Sequence, residues 1–105
     1  TGCIEEQPVL RELHDTYAED GLAILVTVFE DAEYNEASAA IAEGWKTRYR
    51  LPFDVVADPG NVMAAYYDTS LAPMNMIIDL ESMEILLLEI GWKEDLVRAV
   101  IGGKL

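Results

Sequence analysis

The stretch Leu22-Ala23-Ile24-Leu25-Val26-Thr27-Val28-Phe29 decides the fold class. It is almost wholly apolar and rich in β-branched side chains, which suit a pleated strand. A strand with one wet face alternates apolar and polar residues. A run without that alternation reads as a strand covered on both faces, as in the parallel sheets of α/β proteins. On its N-terminal side, Val9, Leu10, Leu13 and Tyr17 recur at helical spacing and predict a helix from Ile4 to about Glu19. Glu5 and Glu6 complement the helix dipole in the first turn, and Gly21 closes the C-terminus. Pro8 falls past the first turn, where it removes a backbone hydrogen bond and predicts a kink.

On the other side of the strand, the polar loop Glu30–Tyr34 leads to a second helix. That helix is expected to be capped by Asn35 and to run to about Tyr49, with Ala37, Ile41 and Trp45 on one side. Pro52 stops that region, and Phe53–Ala57 reads as a short strand. Asp58-Pro59-Gly60-Asn61 is turn chemistry, followed by a short helix over Val62–Tyr67. Met74–Asp79 and Met83–Ile90 are apolar runs joined by Leu80-Glu81-Ser82, the pattern of an antiparallel hairpin. After Gly91, a last amphipathic helix is expected over Lys93–Ile101, with Leu96, Val97, Val100 and Ile101 inward and Gly102-Gly103 at its end. A parallel strand early and a hairpin late predict a mixed sheet with helices on both faces.

The chain of 105 residues is one domain, 1–105, without repeats or low-complexity segments. Apolar residues make up 51% and charged residues 26%, a globular balance. The formal net charge of −13 argues against nucleic acid and against docking on anionic lipid, since both need clustered cations. It suits a neutral or basic partner. With a single cysteine, Cys3, the chain closes no internal disulfide and builds no Cys-rich zinc site. No apolar run reaches the length of a membrane span. The start at Thr1-Gly2-Cys3, without Met, reads as a processed or truncated end, so the absence of a signal peptide says little about compartment.

The order of elements, with a cysteine at the head of the first helix, resembles the thioredoxin superfamily, in particular its TlpA-like and AhpC/TSA-like branch. Cys3-Ile4-Glu5-Glu6-Gln7-Pro8 is similar to the second half of a C-x-x-C active site followed by its helix-kinking proline. Phe53–Asp58 resembles the family's strand ending in Asp. Ala72-Pro73 with Met76-Ile77-Ile78-Asp79 resembles the cis-proline loop and the strand after it, and Ile90-Gly91-Trp92 matches the family's ending. The resemblance implies a thioredoxin-like three-layer sandwich around a mixed central sheet. It makes Thr1 and Gly2 the middle of the active-site turn, and it puts the attacking cysteine and a central strand ahead of this chain. The departures are Ala72 before the proline without a nearby Gly, and Ser82-Met83 where the hairpin usually turns on Asp-Gly.

On that resemblance Cys3 is the resolving thiol of a dithiol–disulfide exchange with protein thiols or disulfides, and Ala72, Pro73 and Met74 frame the substrate. Exchange needs an attacking thiolate and a second thiol to resolve the mixed disulfide. A helix N-terminus lowers a thiol pKa, whereas nearby carboxylates such as Glu5 and Glu6 raise it. No metal or organic cofactor is implied. The implied setting is a bacterial, exported protein, periplasmic or membrane-tethered. Two further readings stay open: a peroxiredoxin-like peroxidase with Cys3 as its reactive thiol, and a redox-inactive binding module using the groove beside Pro73.

Each residue also has a plainer reading. Cys3 is otherwise a small buried hydrophobe, and Pro73 a strand-initiating proline. His14 suits a surface or half-buried helix position better than a catalytic base. Trp45 and Trp92 read as packing residues. Asp54, Asp58 and Asp68 fit no calcium loop and read as turn carboxylates. Met63, Met74, Met76 and Met83 read as core and hairpin filler, with Met74 also able to add an apolar rim to the site. Glu30-Asp31-Ala32-Glu33 reads as a solvated loop.

Overall fold

The computed structural model describes residues 2–31, 33–66 and 72–105. Three helices, α1 (Gly2–Tyr17), α2 (Ala39–Tyr49) and α3 (Glu94–Lys104), accompany four strands, β1 (Leu25–Val28), β2 (Asp54–Ala57), β3 (Met74–Asp79) and β4 (Glu84–Ile90). The protein is a mixed α/β fold. β1 and β2 pair in parallel, Val26 opposite Val55, while β3 and β4 form an antiparallel hairpin, Met74 opposite Ile90. The expected single mixed sheet is therefore two sheets of two strands among the described residues. No strand there bridges β1 to β3.

α1 runs unbroken through Pro8, whose ring is exposed. It ends in a 3₁₀ turn over Ala18–Asp20, closed by Gly21 at φ 108°, a left-handed conformation that glycine adopts without a Cβ clash. Leu10 and Leu13 lie on the buried stripe and divide the core. Leu10 packs with Leu51 and Phe53, against Ile24, Val26, Val55, Trp45 and Tyr49. Leu13 packs with Val97 and Ile101 of α3, against Ile77 and Leu87 of the hairpin. Trp92 touches both clusters and joins them.

The strand expected to be covered on both faces is covered on one. Burial alternates along β1, and Leu25 is 62% exposed. Val56 on β2, and Ile78, Ile85 and Leu88 on the hairpin, are likewise exposed. The reason lies in the helices: α1 and α2 pack on the side that carries Val26 and Val55, and α1 and α3 on the side that carries Ile77 and Leu87. The described residues thus make two layers where helices on both faces, a three-layer sandwich, were expected.

Several boundaries differ from the sequence reading. Ser38, not Asn35, caps α2, its Oγ accepting from the Ile41 N–H at 3.3 Å. Asn35 instead donates its backbone N–H to Asp31 Oδ1, part of the loop's own turn. Arg50 ends α2 in the left-handed region at φ 53°. The short helix after Asn61 is a 3₁₀ turn over Val62–Tyr66. α3 continues through Gly102 and Gly103 to Lys104. There the missing side chain has a use, since a Cβ on Gly102 would stand 3.3 Å from Tyr17 Oη. Leu96, expected inward, is 44% exposed, leaving Val97 and Ile101 as the buried seam.

The hairpin turn occupies Leu80–Met83, with Met83 at φ 58° in the position a glycine would favour. Leu86 is an extra residue on β4, because Ile77 faces Leu87 while Ile78 faces Ile85. Met83 is an exposed turn residue and not filler. Tyr67 of the expected short helix, Ala32 of the expected loop and Asp68, read as a turn carboxylate, lie outside the described residues.

Candidate functional site

Cys3 sits in the first turn of α1, half-buried. Gly2 is already helical, not part of a preceding turn, and Thr1 lies outside the described residues. Gly2 is pressed against the loop before β3: a Cβ there would lie 3.0 Å from Pro73 Cδ and 3.3 Å from Trp92 Cβ. The structure thereby brings the head of α1 and Pro73 together. Pro73 is buried, its peptide bond with Ala72 is cis, and its carbonyl accepts the Gly91 N–H at 2.7 Å. Ala72 is exposed, and Met74 is half-buried as the first residue of β3.

One turn along α1, two polar side chains lie where apolar ones are usual. Glu6 is 7% exposed and Gln7 1%. Gln7 Nε2 donates to the Cys3 carbonyl at 2.8 Å and to Glu6 Oε1 at 3.3 Å. Asn75 Nδ2, on β3, donates to Glu6 Oε2 at 3.1 Å. The carboxyl therefore ties the helix that carries Cys3 to the strand that follows Pro73. The helix period explains the grouping, since residues three apart share a face with about 5–6 Å between their Cβ atoms. Cys3 and Glu6 have that spacing.

Burial pushes the Glu6 carboxyl up to about 7, while the hydrogen bonds from Asn75 and Gln7 hold it lower than burial alone would. Among the described residues no Lys, Arg or His forms an ion pair with it. Burial also raises the Cys3 thiol above its ordinary value, and the charge of Glu6 raises it further. Cys3 is thus a thiol that ionises reluctantly, next to a carboxyl that holds its proton near neutrality. Such a thiol does not supply a standing thiolate.

The other residues singled out from the sequence stand elsewhere. His14 is half-buried on α1, its ring tilted against Phe53 with centroids 5.9 Å apart. The Trp45 ring is tilted against that of Tyr49, with centroids 4.6 Å apart. Asp58 caps the following 3₁₀ turn, its carboxylate accepting from the Val62 N–H at 2.9 Å and the Met63 N–H at 3.1 Å. Asp31 accepts from the Glu33 N–H at 2.8 Å, as a solvated loop carboxylate does. Among the described residues no group of three His, Cys, Asp or Glu is placed to hold a metal ion, and no helix is long and apolar enough to cross a membrane.

The chain matches no protein-family model, no curated protein and no solved structure. The functional reading therefore rests on the site itself.

Sequence reasoning missed Asn75, and it foresaw that Glu6 raises the Cys3 thiol but not that the carboxyl itself is buried. The signals were present. Glu6 follows Cys3 at helical spacing, and Asn75 is the one polar residue among the first five of Met74-Asn75-Met76-Ile77-Ile78. A polar side chain inside an apolar strand needs a partner, and here the partner is a buried carboxyl.

Proposed function

We propose that the chain is a thioredoxin-like thiol–disulfide oxidoreductase domain. Cys3 is the resolving thiol of a C-x-x-C pair whose first cysteine stands immediately ahead of Thr1 in the natural protein. The observation that carries this reading is the meeting of three parts at one place: Cys3 in the first turn of α1, Pro73 packed on Gly2, and a buried carboxyl, Glu6, between them and β3. The open edges of β1 and β3 suit an added strand between them, which would join the two sheets into one. Protein thiols or disulfides are the substrate class, and an exported bacterial setting accompanies the resemblance.

In the reductive direction the upstream thiolate attacks a substrate disulfide, forming a mixed disulfide and releasing one substrate thiolate. Cys3 then attacks the cysteine sulfur of that mixed disulfide. The second substrate thiol leaves, the C-x-x-C pair is oxidised, and the substrate gains two electrons. Cys3 must lose its proton as it attacks. Glu6, when ionised, is the neighbouring group able to receive that proton, and it returns it when the cycle reverses. A raised Cys3 pKa fits the resolving role, because a thiol held protonated does not compete for substrate before the mixed disulfide forms.

The test is intact mass of the natural full-length protein, with alkylation before and after reduction. No label before reduction and two labels after it, with turnover of a disulfide substrate lost in Cys3→Ala, are the expected results. One label under both conditions overturns the dithiol mechanism. A second reading, a binding module, is favoured by the same raised thiol pKa. It predicts a partner bound equally well after Cys3→Ser. A peroxidase needs a ready thiolate at Cys3, and burial and Glu6 both oppose one.

A further inference from the structure

Glu6 is surrounded by amide groups whose hydrogen-bonding capacity is unevenly used. Gln7 Nε2 has two hydrogens and two partners, the Cys3 carbonyl and Glu6 Oε1, so its orientation is fixed. Asn75 is different. Its Nδ2 donates to Glu6 Oε2, while its Oδ1 is buried without a partner. A buried amide oxygen without a donor is costly, and structures avoid leaving one unmatched. The missing donor is available in one state of the cluster. When Glu6 carries a proton on Oε2, that O–H needs an acceptor, and a half-turn of the Asn75 amide places Oδ1 where Nδ2 stood.

We propose that Asn75 is a positioning residue whose side-chain amide turns to follow the proton on Glu6. Nδ2 donates to the carboxylate, and after the turn Oδ1 accepts from the carboxylic acid. Each protonation state of the buried carboxyl then has a matched partner on β3, so the carboxyl oxygen facing Asn75 is left unmatched in neither state. Asn75 acts on Cys3 only through Glu6. Among the described residues the groups facing the carboxyl are few. Cys3 faces it from α1. From the hairpin come the neutral Asn75 and, opposite it on β4, Glu89, which is engaged by Lys93 at 3.4 Å. The inference rests on the buried carboxyl and its amide neighbours, not on thiol exchange, so it stands or falls separately from the function proposed above.

The experiment is a pH titration followed by NMR on the folded chain, with ¹³C in the glutamate carboxyls and ¹⁵N in the asparagine side chains. In the unsubstituted protein the Glu6 carboxyl is expected to titrate near neutrality, and the Asn75 amide signals to move with the same midpoint. In Glu6→Gln the Asn75 signals are expected to stay flat across that range. Asn75→Leu, which keeps the branched outline and removes the donor, is expected to raise the Glu6 midpoint by about one pH unit. The same substitution shifts the matching inflection in the rate of Cys3 alkylation. Asn75 signals that ignore the Glu6 titration overturn the proposal, and so does an unmoved Glu6 midpoint in Asn75→Leu. The first measurement needs no substitution, so it decides even where Asn75→Leu fails to fold.

Discussion

Toward the helices, β1 and β2 present Val26 and Val55, apolar against apolar. The hairpin presents Asn75, Ile77 and Asp79 in succession, so polar positions flank its apolar centre. Asn75 reaches Glu6 on α1, and Asp79 reaches Lys104 on α3 at 2.9 Å. Among the described residues no side-chain hydrogen bond ties the parallel pair to the helices, which hold it by packing. The hairpin is positioned by packing at one point and by directed polar contacts on either side. Packing fixes a distance between elements, whereas a hydrogen bond to a named atom also fixes register. The candidate site lies on the side where register is fixed.

The largest expected effect breaks the parallel half. Phe53 is 6% exposed and meets Leu10, Leu51 and His14. Phe53→Ala should cost about 3–5 kcal/mol in a denaturant melt, through lost transfer energy and an unfilled cavity. The loss should be the same at pH 5 and pH 8, since lost apolar burial carries no charge. A strongly pH-dependent loss would show that the two halves are not chemically separate.

Glu6 should behave in the opposite way. Its carboxyl is raised to about 7 in the folded protein from an ordinary 4.5, so between those values the folded state holds a proton that the unfolded chain has released. Stability therefore falls as pH rises through that window, by roughly 3 kcal/mol in all, and levels off above it. Glu6→Gln keeps the shape and removes the titration. It should match the parent protein near pH 4 and exceed its stability at pH 8. Equal stability of the two at both pH values would mean that Glu6 is not buried as an acid, and the contrast between the two halves would lose its chemical part.

These contrasts show what the sequence could and could not reveal. The order of elements was legible because each has its own period or turn signal, from the Leu10–Leu13 stripe to the apolar runs of the hairpin. Coverage of Leu22–Phe29 was misread, because an unbroken apolar run records what a strand can bury and not which neighbours are present to bury it. The cap of α2 was misplaced because Asn35 and Ser38 are both good cap residues, and the Asp31 turn had already engaged Asn35. At the site, Cys3 and Pro73 were visible as residue types. The Glu6–Asn75 contact was not, because it joins positions 69 apart in the chain and depends on how α1 lies across β3.

The Ser38 cap offers a smaller test on the parallel side. Ser38→Ala leaves the N–H of Ile41 without its side-chain acceptor and should cost about 1 kcal/mol. The loss should again be independent of pH, measurable as a shift in denaturant midpoint with an unchanged slope. Full compensation by water at that exposed end would appear as no shift, and would place the hold on α2 wholly in Ala42, Trp45 and Tyr49.

The smallest expected effect belongs to Arg98, which links α3 to α1 near the hairpin. Its guanidinium meets Glu12 at 2.7 Å and Glu94 at 2.8 Å, and both contacts are open to solvent. The hydrogen bond from Arg98, and after it the Arg98 charge, hold the Glu12 carboxyl below its ordinary value, so what they contribute is present above the usual carboxylate range and is lost as pH falls through the lowered value. Arg98→Ala should lower the melting temperature slightly at low salt, and the difference should shrink to nothing in about 1 M salt, where screening acts within about 3 Å. A deficit that survives high salt would assign the effect to the aliphatic stem of Arg98 lying along α1. In that case the contact between α1 and α3 would be apolar like that of the parallel pair, and directed polar contacts would be confined to the two the hairpin itself makes.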